Sequence, residues 1–168
     1  DKYLVMAGKA SIATIVFLSG QVRELEKTIH RVAKLKDEYT LLLTVPGIQK
    51  ILALTIMYET GPIERFEKVG NYASYCRCVG SRRLSNDKVN GKGNRKNGNK
   101  YLCWAYGEAA HHAQRHYECV KRYYQRKMAK TNLIVARKTI AHKLARACYY
   151  IMRNQTQFKP SRVFGMWQ

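Results

Sequence analysis

The residues of this chain best suited to chemistry fall in one short stretch. Ser85 follows Arg82, Arg83 and Leu84, and the segment continues through Lys88, Lys92, Arg95, Lys96, Asn99 and Lys100. A serine hydroxyl is a weak nucleophile at neutral pH and needs activation. Guanidinium and ammonium groups beside it suit one task in particular, stabilising the charge that builds on phosphate oxygens during displacement at phosphorus. Most serines in polar loops have no such role, so composition alone does not make Ser85 catalytic. Two other chemistries fit less well. Phosphodiester cleavage with metal ions needs several carboxylates converging on the ions, and the acids after residue 66 are only Glu67, Asp87, Glu108 and Glu118, far apart in sequence. His112, His116 and Cys119 follow helical spacing, and Cys103 could join them, but no four-ligand zinc spacing results. Cys76 and Cys78 are weaker still. No metal is expected in this chain.

The elements that must position these groups read as mostly helical. Residues 81–100 hold seven basic side chains, five Asn, three Gly and one acid. With no apolar periodicity they read as a loop or extended arm that orders against phosphates, with Arg82, Arg83, Lys88, Lys92, Arg95, Lys96, Asn99 and Lys100 as candidate nucleic-acid contacts. Upstream, Val45-Pro46-Gly47-Ile48 precedes an apolar run from Ile51 to Met57 and then Gly61-Pro62. This predicts helix, tight turn, helix and stop. An apolar residue, Pro-Gly and another apolar residue between helices is also the hairpin of helix-hairpin-helix motifs, in which backbone N–H groups at the second helix's start hold a phosphate. Pro46, Gly47 and Ile48 are therefore candidate nucleic-acid contacts, with a plain helical turn as the other reading. Downstream, Tyr101 to about Lys127 predicts one helix with a basic end. Thr131 reads as the N-cap of a second. Ile140, Ala141, Leu144, Ala145, Cys148, Ile151 and Met152 mark that helix's buried face, opposite Arg137, Lys138, Lys143 and Arg146. After Asn154 the pattern is lost and the tail is expected to fray. Near the N-terminus Ile15, Leu18, Val22, Leu25, Ile29 and Val32 follow the alternating spacing of a coiled-coil seam, with Glu24, Lys27 and Arg31 off it. An amphipathic helix folded onto its own domain is the other reading.

Charge narrows the partner. The chain of 168 residues carries 31 Lys and Arg against 11 Asp and Glu, a formal +20. Residues 67–168 account for +18 of it, with 22 basic and four acidic side chains. A compact domain at that charge repels itself unless a polyanion neutralises it, and nucleic acid is the natural one. A membrane is not expected: Met6 to Leu18 is apolar but interrupted by Lys9, short of the roughly 20 residues a spanning helix needs. Five cysteines, an odd number among many lysines, point to a reducing, cytoplasmic setting.

The order of these features resembles the C-terminal half of the insertion-sequence 110 transposases, the class that includes the pilin-inverting recombinases. That family has a coiled coil, a Leu-Leu-x-x-Ile-Pro-Gly-Ile-Gly hairpin, a basic Ser-Gly-rich loop and a Lys-x-Gly-Asn-x-x-Leu helix start. Here stand Leu42-Leu43-Thr44-Val45-Pro46-Gly47-Ile48, then Glu59-Thr60-Gly61-Pro62-Ile63-Glu64-Arg65-Phe66, then Lys96-Asn97-Gly98-Asn99-Lys100-Tyr101-Leu102. Counting back without gaps sets Arg82, Leu84-Ser85 and Lys88 against the family's Arg-x-x-Ser-Ser-Gly-Gly-Lys. The resemblance implies that Ser85 attacks a DNA phosphate and forms a transient phosphoserine link, with Ser81 the alternative if the alignment slips by a turn. It also implies an N-terminal RNase-H-like domain whose Asp-Glu-Asp-Asp set binds magnesium, and in some members a structured guide RNA. Asn86-Asp87 departs from the family's glycines after the serine, and Gln49 from the hairpin's second glycine.

The resulting expectation is a mostly α domain. Residues 1–40 form a coiled-coil arm; 41–158 form a transposase C-terminal domain, with a helical hairpin at 41–66, a basic catalytic loop at 81–100 and a closing helical pair; 159–168 form a tail. The chain, opening at Asp1, is read as a fragment that cleaves and rejoins DNA only with the missing acidic domain. Its expected partners are DNA, a structured guide RNA and further copies of itself, in the cytoplasm and on the nucleoid. A non-catalytic nucleic-acid-binding module is the alternative, and a ribosome-associated RNA-binding protein a third.

Overall fold

The computed structural model describes residues 1–34, 36–79, 82–85, 88–92 and 97–165, with 82–85 and 88–92 followed through their backbone alone. The chain forms two compact units, Asp1–Lys36 and Asp37–Gln168, and the fold is mostly α.

The first unit is one helix, α1 (Lys2–Ala33), capped by the Asp1 carboxylate, which accepts from the Tyr3 N–H at 3.0 Å. Neither Gly8 nor Gly20 interrupts it. The coiled-coil seam lies on this helix, and Ile15, Leu18, Val22, Leu25, Ile29 and Val32 are all exposed. The membrane argument from sequence rested on the short run Met6–Leu18. The helix is 32 residues long, however, and an 18-residue window in it has a mean hydropathy of 1.5, long and apolar enough to cross a membrane. The same test is passed by helices that bury an apolar face against other protein.

The second unit begins with α2 (Asp37–Leu42), a turn, and α3 (Lys50–Thr60). The expected helix, turn, helix and stop is what forms. The turn is tied by Val45 N–H to the Leu42 carbonyl and Ile48 N–H to the Val45 carbonyl, both 3.1 Å. Gly61, at φ +62°, ends α3 in a conformation that favours glycine. A 3-10 turn (Ile63–Arg65) and α4 (Val69–Tyr75) follow.

Residues 82–92 are not wholly irregular, as their composition suggested. Strands β1 (Arg82–Ser85) and β2 (Lys88–Lys92) pair antiparallel, Arg82 with Lys92, Leu84 with Val89 and Ser85 with Lys88, with an irregularity between Arg82 and Leu84. Backbone pairing between strands orders such a segment without the apolar face that periodicity detects.

Three helices close the unit: α5 (Lys100–His116), α6 (Glu118–Lys130) and α7 (Leu133–Asn154). The single helix expected over Tyr101–Lys127 is broken at Tyr117, which is extended (φ −122°, ψ 112°). Its N–H closes α5 on the Ala113 carbonyl, and its own carbonyl accepts from Val120 and Lys121 at the start of α6. No Pro or Gly marks the break. Asn132, not Thr131, caps α7, accepting from the Val135 N–H at 2.9 Å; the Thr131 hydroxyl donates back to the Lys127 carbonyl instead.

All seven residues assigned to the buried face of α7 are buried. Around α7 pack α2, α4, α5 and α6. A hydroxyl chain crosses this core, Thr60 to Tyr72 at 3.0 Å and Tyr72 to Tyr106 at 2.7 Å. Satisfying one another, these groups avoid the penalty of burial without a partner. Tyr149 on α7 donates to the Phe66 carbonyl at 3.0 Å, and Arg153 does the same. The tail after Asn154 does not fray as expected. It forms α8 (Pro160–Phe164), with Phe164 buried edge-on to Tyr123, ring centroids 5.6 Å apart.

Candidate nucleic-acid interface

The β1–β2 hairpin lies between α4 and α5 in sequence, and the ends of α3 and α4 meet the start of α5 in a knot of hydrogen bonds. Asn99 is at its centre. Its side-chain oxygen caps α5, accepting from Tyr101 N–H at 2.8 Å and Leu102 N–H at 3.0 Å, while its amide donates to Glu59 Oε2 at 2.6 Å. The Asn99 N–H donates to the Tyr75 carbonyl at 2.7 Å. Arg77, itself left-handed at φ 55°, donates through Nε (3.0 Å) and a terminal nitrogen (2.7 Å) to the Gly98 carbonyl. Gly98 is at φ +94°, and a Cβ there would lie 2.5 Å from the Tyr75 carbonyl oxygen. Both the conformation and the space demand glycine. The Arg65 guanidinium lies over the rings of Phe66 (4.6 Å) and Tyr75 (4.7 Å). Hydrogen bonds from Asn99 and then Arg65 hold the Tyr75 hydroxyl below its ordinary pKa, because they favour the charged form.

This geometry sorts the sequence candidates. Arg82, Arg83, Ser85, Lys88 and Lys92 lie on the two strands, and pairing sets Ser85 directly opposite Lys88 at the end of β1. Ser81, Arg95, Lys96, Asn86 and Asp87 lie outside the described residues. Asn99, read as a nucleic-acid contact, has all its amide capacity engaged within the fold. Lys100 is exposed, its ammonium 4.9 Å over the Tyr101 ring.

Pro46, Gly47 and Ile48 are buried. A Cβ on Gly47 would come 2.1 Å from the Ala109 carbonyl oxygen, so the turn is pressed against the backbone of α5. Small side chains on that face, Ala105, Ala109 and Ala113, allow the approach. The exposed residues at the start of α3 are Gln49 and Lys50.

Basic side chains interleaved with tyrosines suit bases that stack on rings, but sequence reasoning named no particular aromatic residue as a contact. Tyr101 and Trp104, three residues apart, are each about half exposed. Large aromatic rings in water beside Lys100 are a stacking surface for bases. The signal was present in the residue types, but only the phase of α5 shows which of them the core leaves out.

His112, His116 and Cys119, weighed as metal ligands, are split between two helices. His112 and His116 are exposed, with rings stacked 6.5 Å apart, but Cys119 lies beyond the break at Tyr117. Among the described residues no three His, Cys, Asp or Glu side chains could hold a metal ion. Burial, with Arg137 and Arg115 nearby, lowers the His111 pKa.

The closing helices carry much of the positive charge. Among the described residues one ion pair forms, Arg122 to Glu118 at 3.2 Å, on the surface of α6. Such an exposed pair contributes at most about 1 kcal/mol. Lys121 and Lys138 are exposed on the same closing helices.

A family model for the IS116/IS110/IS902 transposases matches residues 39–125. No curated protein matches the chain. The matched span runs from α2 through the buried turn, the basic hairpin and the Asn99-capped start of α5 into α6, more than half of the sequence. The chain therefore belongs to the IS116/IS110/IS902 transposase family.

Proposed function

We propose that this chain is the serine-bearing C-terminal half of a DNA transposase of the pilin-inverting recombinase class. Its partner is DNA, the substrate of transposition. Ser85 is the nucleophile. Its Oγ forms a bond to a DNA phosphorus as one phosphodiester P–O bond breaks, and the departing sugar oxygen takes up a proton. Attack by another strand's hydroxyl then reverses the link and rejoins DNA. Arg82, Arg83 and Lys88, from the same hairpin, stabilise the phosphate oxygens.

Magnesium belongs to an acidic RNase-H-like domain N-terminal to this one. The acids described here do not form a site for it: Glu59 is committed to Asn99, Glu118 to Arg122, and no cluster converges. No step is assigned to magnesium in this chain. Helix α1 pairs subunits through its exposed seam, the basic surface holds DNA and a structured guide RNA, and the protein works in the cytoplasm on the nucleoid.

The observation that carries this reading is the family match across residues 39–125, a span that includes Ser85 and both roots of the hairpin. The test is recombination by the full-length transposase with magnesium, its element's end DNA and any encoded RNA, comparing wild type with Ser85→Ala. Strand exchange should fall by at least about a hundredfold, as expected when a nucleophile is lost. Nucleic-acid binding should persist, and only wild type should form a protein–DNA adduct at Ser85. Unchanged recombination would remove the serine mechanism and leave this domain as a non-catalytic basic clamp.

A further inference from the structure

A cavity of about 460 Å³ opens between the C-terminal half of α7 and the segment that leads into α8. From α7 it is lined by Lys143, Arg146 and Tyr150, at helical spacing on one face; from the other side come Phe158, Lys159 and Arg162. Four cations thus face a space with no carboxylate among the described residues that line it. Lys143 is engaged, donating to the Val163 carbonyl at 2.7 Å, while Arg146, Lys159 and Arg162 make no ion pair among the described residues. Tyr150 is 47 % exposed although the residues on either side of it, Tyr149 and Ile151, are buried. Burial, and then the nearby Arg146, push the Lys143 ammonium below its ordinary pKa.

We propose that this cavity binds one unpaired nucleotide of a DNA strand, its phosphate against Arg146, Lys159 and Arg162 and its base against the Tyr150 ring. The inference rests on the reading of the chain as a DNA-acting domain and adds a site outside the hairpin. The volume falls in the range of about 300–1,000 Å³ usual for small-ligand pockets. Cations alone would serve any phosphate. An aromatic ring left in water within the same cavity adds a platform for a base, and every base has a face that stacks. A duplex keeps its bases stacked inside. Only a nucleotide out of the helix can offer phosphate and base together.

The test measures binding of the 168-residue chain to three labelled probes at fixed salt: a paired DNA duplex, the same duplex with one unpaired thymidine, and the RNA counterpart of the second. Wild type should bind the unpaired-thymidine DNA about tenfold tighter than the paired duplex, the scale of one base–aromatic stack. Tyr150→Leu should erase that preference. Arg146→Gln with Arg162→Gln should weaken binding of the same probe and flatten its salt dependence, whereas Lys9→Gln with Lys27→Gln, on α1, should not. Iodouracil at the unpaired position should photocrosslink wild type at Tyr150 or Phe158, a readout that needs no variant to fold. Equal affinity for the two DNA probes, a preference that survives Tyr150→Leu, a crosslink elsewhere, or tighter binding of the RNA probe would each overturn the site. Failure to bind any DNA would instead sink the reading of the chain as a DNA-acting domain.

Discussion

At Gly47 a single hydrogen stands where a methyl group would meet two backbone atoms of α5, Ala109 O at 2.1 Å and Ala113 N at 2.8 Å. Backbone cannot rotate aside as a side chain can, and the residue is also at φ +79°. Left-handed strain of about 1–2 kcal/mol and overpacking of about 1–3 kcal/mol add here. Gly47→Ala should therefore lower the thermal midpoint by roughly 10 °C. Gly61→Ala shares the positive φ but has nothing within 4 Å of the added carbon, so its cost should stay near the strain alone, about 1–2 kcal/mol. Equal melting shifts for the two variants would show that the turn is not pressed on α5. Asn99→Asp tests the knot beneath the hairpin. The substitution keeps the oxygen that caps α5 but replaces the amide donor, 2.6 Å from Glu59, with a second carboxylate. Two carboxylates so close raise the folded pKa of one of them above its unfolded value. The stability of the variant is then highest below the unfolded carboxylate pKa of about 4 and is lost as pH rises through the raised value. Urea melts at pH 4 and pH 7 check it: wild type relative to the variant should gain about 1–3 kcal/mol on going to pH 7. No pH dependence of that difference would separate Asn99 from Glu59.

At the scale of elements, α1 is the helix with the least explanation inside its own fold. Its seam residues follow the period of a paired helix and all face water. An apolar stripe of that length is not stable to solvent at working concentrations without a partner. Sedimentation equilibrium of the chain should show self-association that Ile15→Glu with Val22→Glu abolishes, because charges at seam positions are buried on pairing. A chain that is monomeric before substitution, or that partitions into lipid vesicles through α1, removes the pairing role. The hairpin raises a different point. Arg77, Gly98 and Asn99, which flank it in sequence, tie the ends of α3 and α4 to the start of α5.

For the whole molecule, buried acids of the weak kind set an alkaline limit. Burial raises the folded pKa of Cys76, of Cys78 to about 12 and of Cys148 to about 12, and raises Tyr72 and Tyr106 well above their ordinary value. Each group stays protonated when folded and ionises once unfolded. Their contribution to stability is complete below the unfolded pKa values, about 8.5 for thiols and 10 for tyrosines, and is lost as pH rises beyond them. Stability should thus decline from about pH 9 and steepen above pH 10, followed by urea melts. Tyr72→Phe should lower stability at neutral pH by about 1–3 kcal/mol, since the Thr60 and Tyr106 hydroxyls lose their shared partner, yet make the decline above pH 10 shallower by one proton. A flat profile through pH 11 would show that these hydroxyls and thiols are not buried in solution. The exposed surface follows the opposite logic. With 22 basic and four acidic side chains after residue 66, it is built to meet a polyanion.

Much of this was legible in the linear chain, because local chemistry leaves local marks. Apolar spacing located α1, α3 and the buried face of α7, Pro46-Gly47 and Gly61-Pro62 marked where helices turn and stop, and the charge imbalance named the partner class. The order of short motifs carried the family resemblance, which the match over residues 39–125 bears out. Other features depended on contacts distant in sequence. Tyr117 breaks a helix without Pro or Gly, since what it gains is decided by how α6 packs on α7 rather than by its own propensity. Pro46 to Ile48 are pressed against α5, and the Asn99 amide meets Glu59 forty residues away. The cavity beside Tyr150 exists only because α8 folds back onto α7. Propensity and charge belong to a residue and its neighbours and can be read in order along the chain. Burial and hydrogen-bond satisfaction belong to pairs that meet only after folding, and these decided which of the polar residues remain free to meet DNA.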